Sequence, residues 1–251
     1  KVGDQIKPSD MPLEDLIKNT EGNFKIAQDL LKKMGLNEYT YRIGEGSVGS
    51  MMETVTWYDD QLTKLVSGVL TNTDSFSFKH SYLISVFAHS ILPNLGFPQE
   101  ELHLNMETMV FVSFYHDILL DDDHLVRIQN KGEIYTEKLD PENMDVLINH
   151  AKSISEMIAQ FPKVPPHAEQ VILEHHGVIT GMGFTDRPKA NLHQLSVVFL
   201  VLEDFVHRFL NFRTGQNLKD VLTEMEEAYK LPQFKSVVVA LRDAIIENFK
   251  S

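Results

Sequence analysis

Helical spacing of apolar residues runs through most of this chain, and patterns typical of β-strands are scarce. Prolines and glycines separate the helical segments, as expected where helices of ordinary length begin and end. The sequence therefore predicts a mostly α-helical fold. The predicted helices cover residues 11–34, 52–70, 78–95, 99–120, 141–160, 166–176, 192–212, 217–229 and 233–249.

A change in composition near residue 74 predicts two parts. Residues 71–75 are rich in Thr, Asn, Asp and Ser, which favour linkers and helix caps. We expect a smaller N-terminal region, residues 1–74, with a packing or regulatory role, and a larger domain over residues 75–251. In the first part, residues 38–43 alternate well enough for a short strand, and the glycine-rich residues 44–49 predict a turn. In the second, the polar residues 121–139 predict a long loop.

Composition limits the classes of function. The 251 residues include no cysteine, so any metal must be bound by His, Asp or Glu. A formal net charge of −13 disfavours long nucleic acids as partners, because it repels polyanions. No apolar run is long enough to span a membrane, and residues 1–10 lack the apolar core of a signal peptide. We therefore expect a cytoplasmic protein that does not bind membranes.

Two pairs of ionisable residues interrupt apolar helical segments. They are His116-Asp117 and His175-His176. Burying such groups costs free energy unless something compensates them, and a metal ion does so directly through imidazole nitrogen and carboxylate oxygen. Taken one pair at a time, a hydrogen-bonded core pair or a charge at a helix terminus explains each pair equally well or better.

Three further residues favour a metal centre over these separate structural explanations. His80, like His89, could face the interior, and His150 follows the apolar residues 146–148. Asp204 follows residues 195–202, which are apolar on every side and must be buried. All of these residues lie on helices of one predicted domain, and together they are improbable as independent accidents. The set therefore predicts a metal centre. We interpret the acidic run at residues 121–123 as solvated charge instead.

With these residues, the sequence resembles the HD superfamily of metal-dependent phosphohydrolases, and within it the bacterial HD-GYP group. The resemblance covers residues 76–251. It includes Lys138-Leu139-Asp140-Pro141-Glu142 before His150, similar to the family's Lys-Leu-Thr-Pro-Glu, and Gln233-Phe234, similar to a late Gln-Phe pair. The spacing from the histidine pair to Asp204 also matches.

The resemblance implies an HD-domain helical bundle that binds two divalent metal ions, with iron expected first and manganese or zinc as alternatives. Asp117 would bridge the two ions. The first ion would be bound by His80, His116, Asp117 and Asp204. The second would be bound by Asp117, His150, His175 and His176. Phe76 stands where some relatives carry a carboxylate for a third ion, so two ions are expected.

The residues that would contact substrate depart from the family pattern. The family's His-Asp-Ile-Gly-Lys is here His116-Asp117-Ile118-Leu119-Leu120, without the lysine. The signature Asp-Gly-x-Gly-Tyr-Pro is Thr180-Gly181-Met182-Gly183-Phe184-Thr185, which keeps both glycines but neither the tyrosine nor the proline. Arg213 matches a basic residue of the family. The chain thus resembles unconventional members of the group that lack the tyrosine.

The resemblance implies hydrolysis of cyclic di-GMP or a related nucleotide, in which a hydroxide that bridges the metals attacks phosphorus. Asp117 and Arg213 are the expected catalytic residues, Arg213 by stabilising charge on the phosphoryl oxygens. The expected substrate-binding residues are Arg213, Gly181, Gly183 and Phe184. Two alternatives stay open: a degenerate domain that binds a nucleotide and signals to a partner, and a hydrolase of other nucleotides. A homodimer also stays open.

Overall fold

The computed structural model describes residues 11–58, 61–120, 122–161, 163–185 and 188–249. These residues form twelve α-helices and no strand, which confirms the predicted mostly α-helical fold. The helices are α1 (Leu13–Met34), α2 (Glu38–Trp57), α3 (Leu62–Asn72), α4 (Phe76–Ile91), α5 (Leu102–Tyr115), α6 (Asp123–Val126), α7 (Lys131–Thr136), α8 (Pro141–Ile158), α9 (Ala168–Glu174), α10 (Gln194–Leu210), α11 (Leu218–Ala228) and α12 (Pro232–Asn248).

One hydrophobic core joins helices from both predicted parts of the chain. Helix α4 lies at its centre, buried along most of its length and packed against α2, α3, α5, α10 and α12. Helix α1 packs on α2 and α3 and adds Ile17 and Phe24 to the same core. The core therefore continues across the predicted boundary at residue 74.

Residues 38–49 form the first part of α2, so the strand predicted at 38–43 and the turn predicted at 44–49 are wrong. Asn37 starts the helix with a capping box: its side chain accepts from the backbone N–H of Thr40, and the Thr40 hydroxyl accepts from the backbone N–H of Asn37. Gly44 is buried where α2 crosses Tyr115, and a Cβ there would collide with the tyrosine hydroxyl. A close approach of two helices therefore requires this glycine.

Several helices are shorter than the sequence predicts. Residues 52–70 belong to two helices, α2 and α3, with a break between them. Helix α5 ends at Tyr115 and α9 ends at Glu174, so both ionisable pairs lie just past a helix end. Of the helices in the described part of the chain, none is long and apolar enough to cross a membrane.

The predicted loop at residues 121–139 contains the short helices α6 and α7. Asp121 lies outside the described residues. Asp123 is not simply solvated, since its carboxylate accepts from the backbone N–H of Phe76 at 2.8 Å and of Ser77 at 3.0 Å. These groups belong to the first turn of α4, where a carboxylate satisfies free N–H groups and the helix dipole. Asp123 thus stabilises the helix that carries His80.

We predict that Gly44→Ala destabilises the protein, because the added methyl group meets the Tyr115 hydroxyl in a packed core. The expected loss in free energy of unfolding is about 1–3 kcal/mol. Gly46→Ala is the matched control, since Gly46 lies in the same helix with open space around it; it should stabilise by up to about 1 kcal/mol. Urea denaturation measures both, and equal stability of the two variants would contradict the packing interpretation.

Candidate metal centre

Seven ionisable side chains from five parts of the fold meet in one buried cluster. His80, His150 and Glu203 lie within α4, α8 and α10, whereas the pairs at 116–117 and 175–176 follow the ends of α5 and α9. The cluster has two groups, and within each group the candidate ligand atoms lie within 4.8 Å of one another. The first group is Asp117, His150, His175 and His176; the second is His80, His116 and Glu203.

Three of the histidines are oriented by the same local hydrogen bond. The Nδ1 atoms of His116, His150 and His175 each lie 2.6–3.0 Å from the backbone carbonyl three residues earlier. A carbonyl oxygen can only accept, so each Nδ1 carries the proton and donates it. In the neutral ring this leaves the Nε2 lone pair directed into the cluster, the tautomer and orientation that metal-binding histidines commonly have.

The Nε2 atoms of His150 and His175 lie only 3.2 Å apart. Because both Nδ1 atoms already hold the proton, two neutral rings here place lone pair against lone pair. Burial is the main reason that the pKa of His175 lies well below its usual value, and repulsion from the His150 and His116 rings lowers the pKa further. A proton therefore does not readily bind between the two rings. A shared cation does relieve it.

Asp117 lies between the two groups. Its Oδ1 is 3.3 Å from His150 Nε2 and 3.9 Å from His175 Nε2, while its Oδ2 is 3.3 Å from His116 Nε2. Burial by itself would raise the pKa of this carboxyl, but His116 and His150 outweigh it and hold the pKa well below its usual range. Asp117 is therefore an anion with one oxygen toward each group, as a bridging ligand requires.

The second group contains buried atoms that make no hydrogen bond within the described part of the protein. Both ring nitrogens of His80, the Nε2 of His116 and the Oε1 of Glu203 are buried without a hydrogen bond. Burial, and to a smaller extent repulsion from the His116 ring, lowers the pKa of His80 to about 3, so the His80 ring is neutral at physiological pH. Buried polar atoms without hydrogen bonds are costly, and a metal ion could bind one nitrogen of His80 together with His116 Nε2 and Glu203 Oε1. The cluster can therefore hold a metal ion.

Glu203, and not the predicted Asp204, completes this group. The Asp204 carboxylate instead accepts from Arg208 Nε at 2.7 Å and from the Tyr229 hydroxyl at 3.0 Å. Neighbouring residues of a helix point about 100° apart. Glu203 shares its face of α10 with Phe199, whose ring packs against His116. Burial is the main reason that the pKa of Glu203 lies well above its usual value, and the negative charges of Asp117 and Asp204 raise it further.

A weak pattern in the sequence does point to Glu203. Ser196 and Glu203 are the polar residues of an otherwise apolar stretch, and they are seven residues apart, which places them on one helix face. Both are buried, and the Ser196 hydroxyl is among the atoms without a described partner. Because all sides of this helix are apolar, the sequence does not show which face lies toward the histidines.

The predicted substrate-binding loop lies against the cluster. Phe184 is buried, with its ring centroid 4.0 Å from that of His176. Gly181 and Gly183 both have left-handed backbone angles, φ 65° and 68°. Their backbone groups bond to α8 on either side of His150: the N–H of Lys152 donates to Gly181, and the N–H of Gly183 donates to Ile148. The glycines thus shape a loop that presses Phe184 onto a candidate ligand.

The structure also places Leu120, Phe76 and Arg213, three positions that the sequence comparison singled out. Leu120, in place of the lysine, is buried in a small second core together with Phe76. The Phe76 ring stacks on His80 with centroids 5.9 Å apart, and the Arg127 guanidinium lies 3.7 Å from the Phe76 centroid. Arg213, the predicted phosphate-binding residue, is exposed beyond the end of α10 and does not line the cavity at the cluster.

A cavity of about 210 Å³ opens onto the cluster. Its lining includes His175, His176, Glu203 and Arg208. A second cavity of about 420 Å³ adjoins it at Thr185, with Phe184 and Met182 in its wall and two lysines, Lys131 and Lys189, among its lining residues. The first is smaller than typical ligand pockets, whereas the second falls in their range of roughly 300–1,000 Å³.

No protein-family model, no curated protein and no solved structure matches the chain. The resemblance to the HD-GYP group therefore rests on the residues quoted above. What the structure adds is a buried cluster of histidines and carboxylates that can hold a metal ion.

We predict that Glu203→Gln lowers the metal content of the purified protein, whereas Asp204→Asn leaves it unchanged. The amide keeps the size of each side chain but removes the charge that a cation needs, and only Glu203 lies with the histidines. Plasma mass spectrometry measures the metal per chain, with thermal unfolding to verify folding. Loss of metal from Asp204→Asn alone would restore the sequence-based assignment.

Proposed function

We propose that this protein is a phosphohydrolase that uses two metal ions, and that it cleaves a phosphodiester of a cyclic dinucleotide, cyclic di-GMP first among them, or of a related nucleotide. The observation that carries the proposal is the position of Asp117. Its two oxygens face two groups of buried donors, three of whose histidines direct an Nε2 lone pair into the cluster. Paired sites of this kind suit in-line displacement at phosphorus.

The donor set fits the proposed cofactor. Imidazole nitrogens with carboxylate oxygens suit iron, manganese and zinc, and the residue types do not select among these metals. The backbone carbonyls that accept from Nδ1 of His116, His150 and His175 provide the outer support that metal-binding histidines need. We propose iron first, with manganese and zinc as alternatives.

When bound, the metal ions would supply Lewis acidity and a water of lowered pKa as nucleophile. The residues of the chain bind the ions and shield the site from water. Asp117 and Glu203 provide the anionic ligands, and Phe184 and Phe199 cover histidine rings, which limits access of bulk water. The smaller cavity has room for the reacting phosphoryl group, and the adjoining one for the rest of a nucleotide, with Lys131 and Lys189 near its anionic parts.

One specific observation favours a second candidate, a nucleotide-binding module without turnover. Leu120 replaces a lysine, Phe184 replaces a tyrosine, and Arg213 lies outside the cavity. A domain that keeps its metal ligands and loses substrate contacts retains the means to bind a phosphate while its rate of hydrolysis falls. Such a module would transmit nucleotide binding to a partner or to a second copy of the chain.

The proposal predicts metal-dependent phosphodiester hydrolysis. Purified protein loaded with Fe²⁺ or Mn²⁺ should hydrolyse cyclic di-GMP or another member of a nucleotide panel, and a chelator should abolish the activity. Asp117→Asn should lower turnover by at least about 100-fold, since even the outer partners of metal ligands contribute 10- to 100-fold. His103→Ala is the control, because His103 is an exposed histidine paired with Glu107.

The outcomes separate the candidates. Turnover that survives the chelator would contradict the metal mechanism. Tight nucleotide binding by the metal-loaded protein without turnover would establish the binding module, whereas turnover of simple nucleoside phosphates only would establish a hydrolase of that class.

A further inference from the structure

Arg208 lies on the wall of the cavity that leads to the metal centre. His175, His176 and Glu203 contribute to the same wall, and Arg208 extends from the same helix as Glu203. Among the described residues that line this cavity, Arg208 is the only lysine or arginine. An anionic group that enters here therefore meets one permanent side-chain cation.

Two carboxylates hold the Arg208 guanidinium in place. Its Nε donates to Asp204 at 2.7 Å and its Nη1 donates to Glu224 of α11 at 3.0 Å. A guanidinium has five N–H donors, so these two hydrogen bonds leave three others. Within the described part of the chain, Nη2 makes no hydrogen bond. The group is therefore fixed in orientation and still has donors to offer.

Both supporting carboxylates are themselves supported. Asp204 accepts from the Tyr229 hydroxyl at 3.0 Å, and Glu224 accepts from Gln216 Nε2 at 3.1 Å. Each Asp204 oxygen thus accepts a hydrogen bond, whereas the Asp117 oxygens and Glu203 Oε1 accept none within the described residues. This difference separates a carboxylate that orients an arginine from carboxylates that are left free for a cation.

We infer that Arg208 donates hydrogen bonds to the phosphoryl oxygens of the substrate, and that Asp204 is a positioning residue that holds it there. The inference rests on the proposed function and assigns to Arg208 the contact that the sequence assigned to Arg213. A rigid guanidinium matches the spacing of two phosphoryl oxygens, which a lysine cannot reproduce. The substrate is thus a phosphate ester whose free oxygens face α10 and α11.

Inorganic phosphate is the probe, measured by calorimetry on the metal-loaded full chain, with the rate of phosphodiester hydrolysis as a second readout. Arg208→Gln should weaken phosphate binding about 10- to 100-fold, as expected for a lost charge-assisted hydrogen bond, and should leave the metal content unchanged. Arg208→Lys keeps the charge without the planar group, and should fall between wild type and Arg208→Gln. Asp204→Asn should weaken binding less than Arg208→Gln.

Arg242→Gln is the matched control. Arg242 links α12 to α11 through Glu226 at 2.9 Å, much as Arg208 links α10 to α11, but it lies outside this cavity. If Arg208 were only such an interhelical link, both variants would lower stability and neither would change phosphate binding. That result overturns the inference, and so does loss of binding in Arg213→Gln with retention in Arg208→Gln.

Failure of this inference is distinguishable from failure of the proposed function. Wild-type protein that binds metal and hydrolyses a phosphodiester, with Arg208→Gln equal to wild type, rejects the role of Arg208 alone. Wild-type protein without bound metal or turnover rejects the proposed function, and absence of phosphate binding by that protein rejects the inference with it. Arg208→Lys guards against misfolding, since it preserves the stem and the charge of the side chain.

Discussion

The contact of one carboxylate with several buried imidazoles is the constraint on which the rest of this structure depends. Asp117 is an anion in the interior, and its neighbours His116, His150 and His175 lie within 3.9 Å of its oxygens. Such a group is stable there only if positive charge accompanies it. The ends and faces of the helices therefore have to be correctly placed around Asp117, because the imidazoles that surround it come from different parts of the fold.

The orientation of the rings comes from the ends of helices as much as from packing. His116 and His175 follow α5 and α9, and their Nδ1 atoms bond to Ser113 and Ile172, whose carbonyls lie in the last turn of each helix. The last four carbonyls of a helix have no partner within it. Each of these hydrogen bonds thus gives a free carbonyl at a helix end a partner and also fixes the orientation of an imidazole ring.

Five of the cluster residues could be recognised from the sequence because each interrupts an apolar helical pattern: His116, Asp117, His150, His175 and His176. His80 lies between Lys79 and Ser81, and the resemblance to the HD superfamily is what selects it over His89. For the seventh, Glu203, the sequence offers only its seven-residue spacing from Ser196, because apolar residues surround α10 and leave the rotation of the helix undetermined by one residue. The prediction of a short strand at 38–43 was wrong because a contact between distant helices, and not the local sequence, decides the structure there. The glycines that follow resemble a turn, but Gly44 serves the approach of two helices, a contact that local sequence does not contain.

The loop at residues 177–185 is joined to α8 by backbone hydrogen bonds at Ile148 and Lys152, on both sides of His150, and the same loop presses Phe184 onto His176. The cavity wall at Phe184 and the helix that carries His150 are therefore joined by the main chain. A ligand that displaces this wall would also shift His150, one of the candidate metal ligands. Substitutions in the loop would therefore affect both the cavity wall and the position of His150.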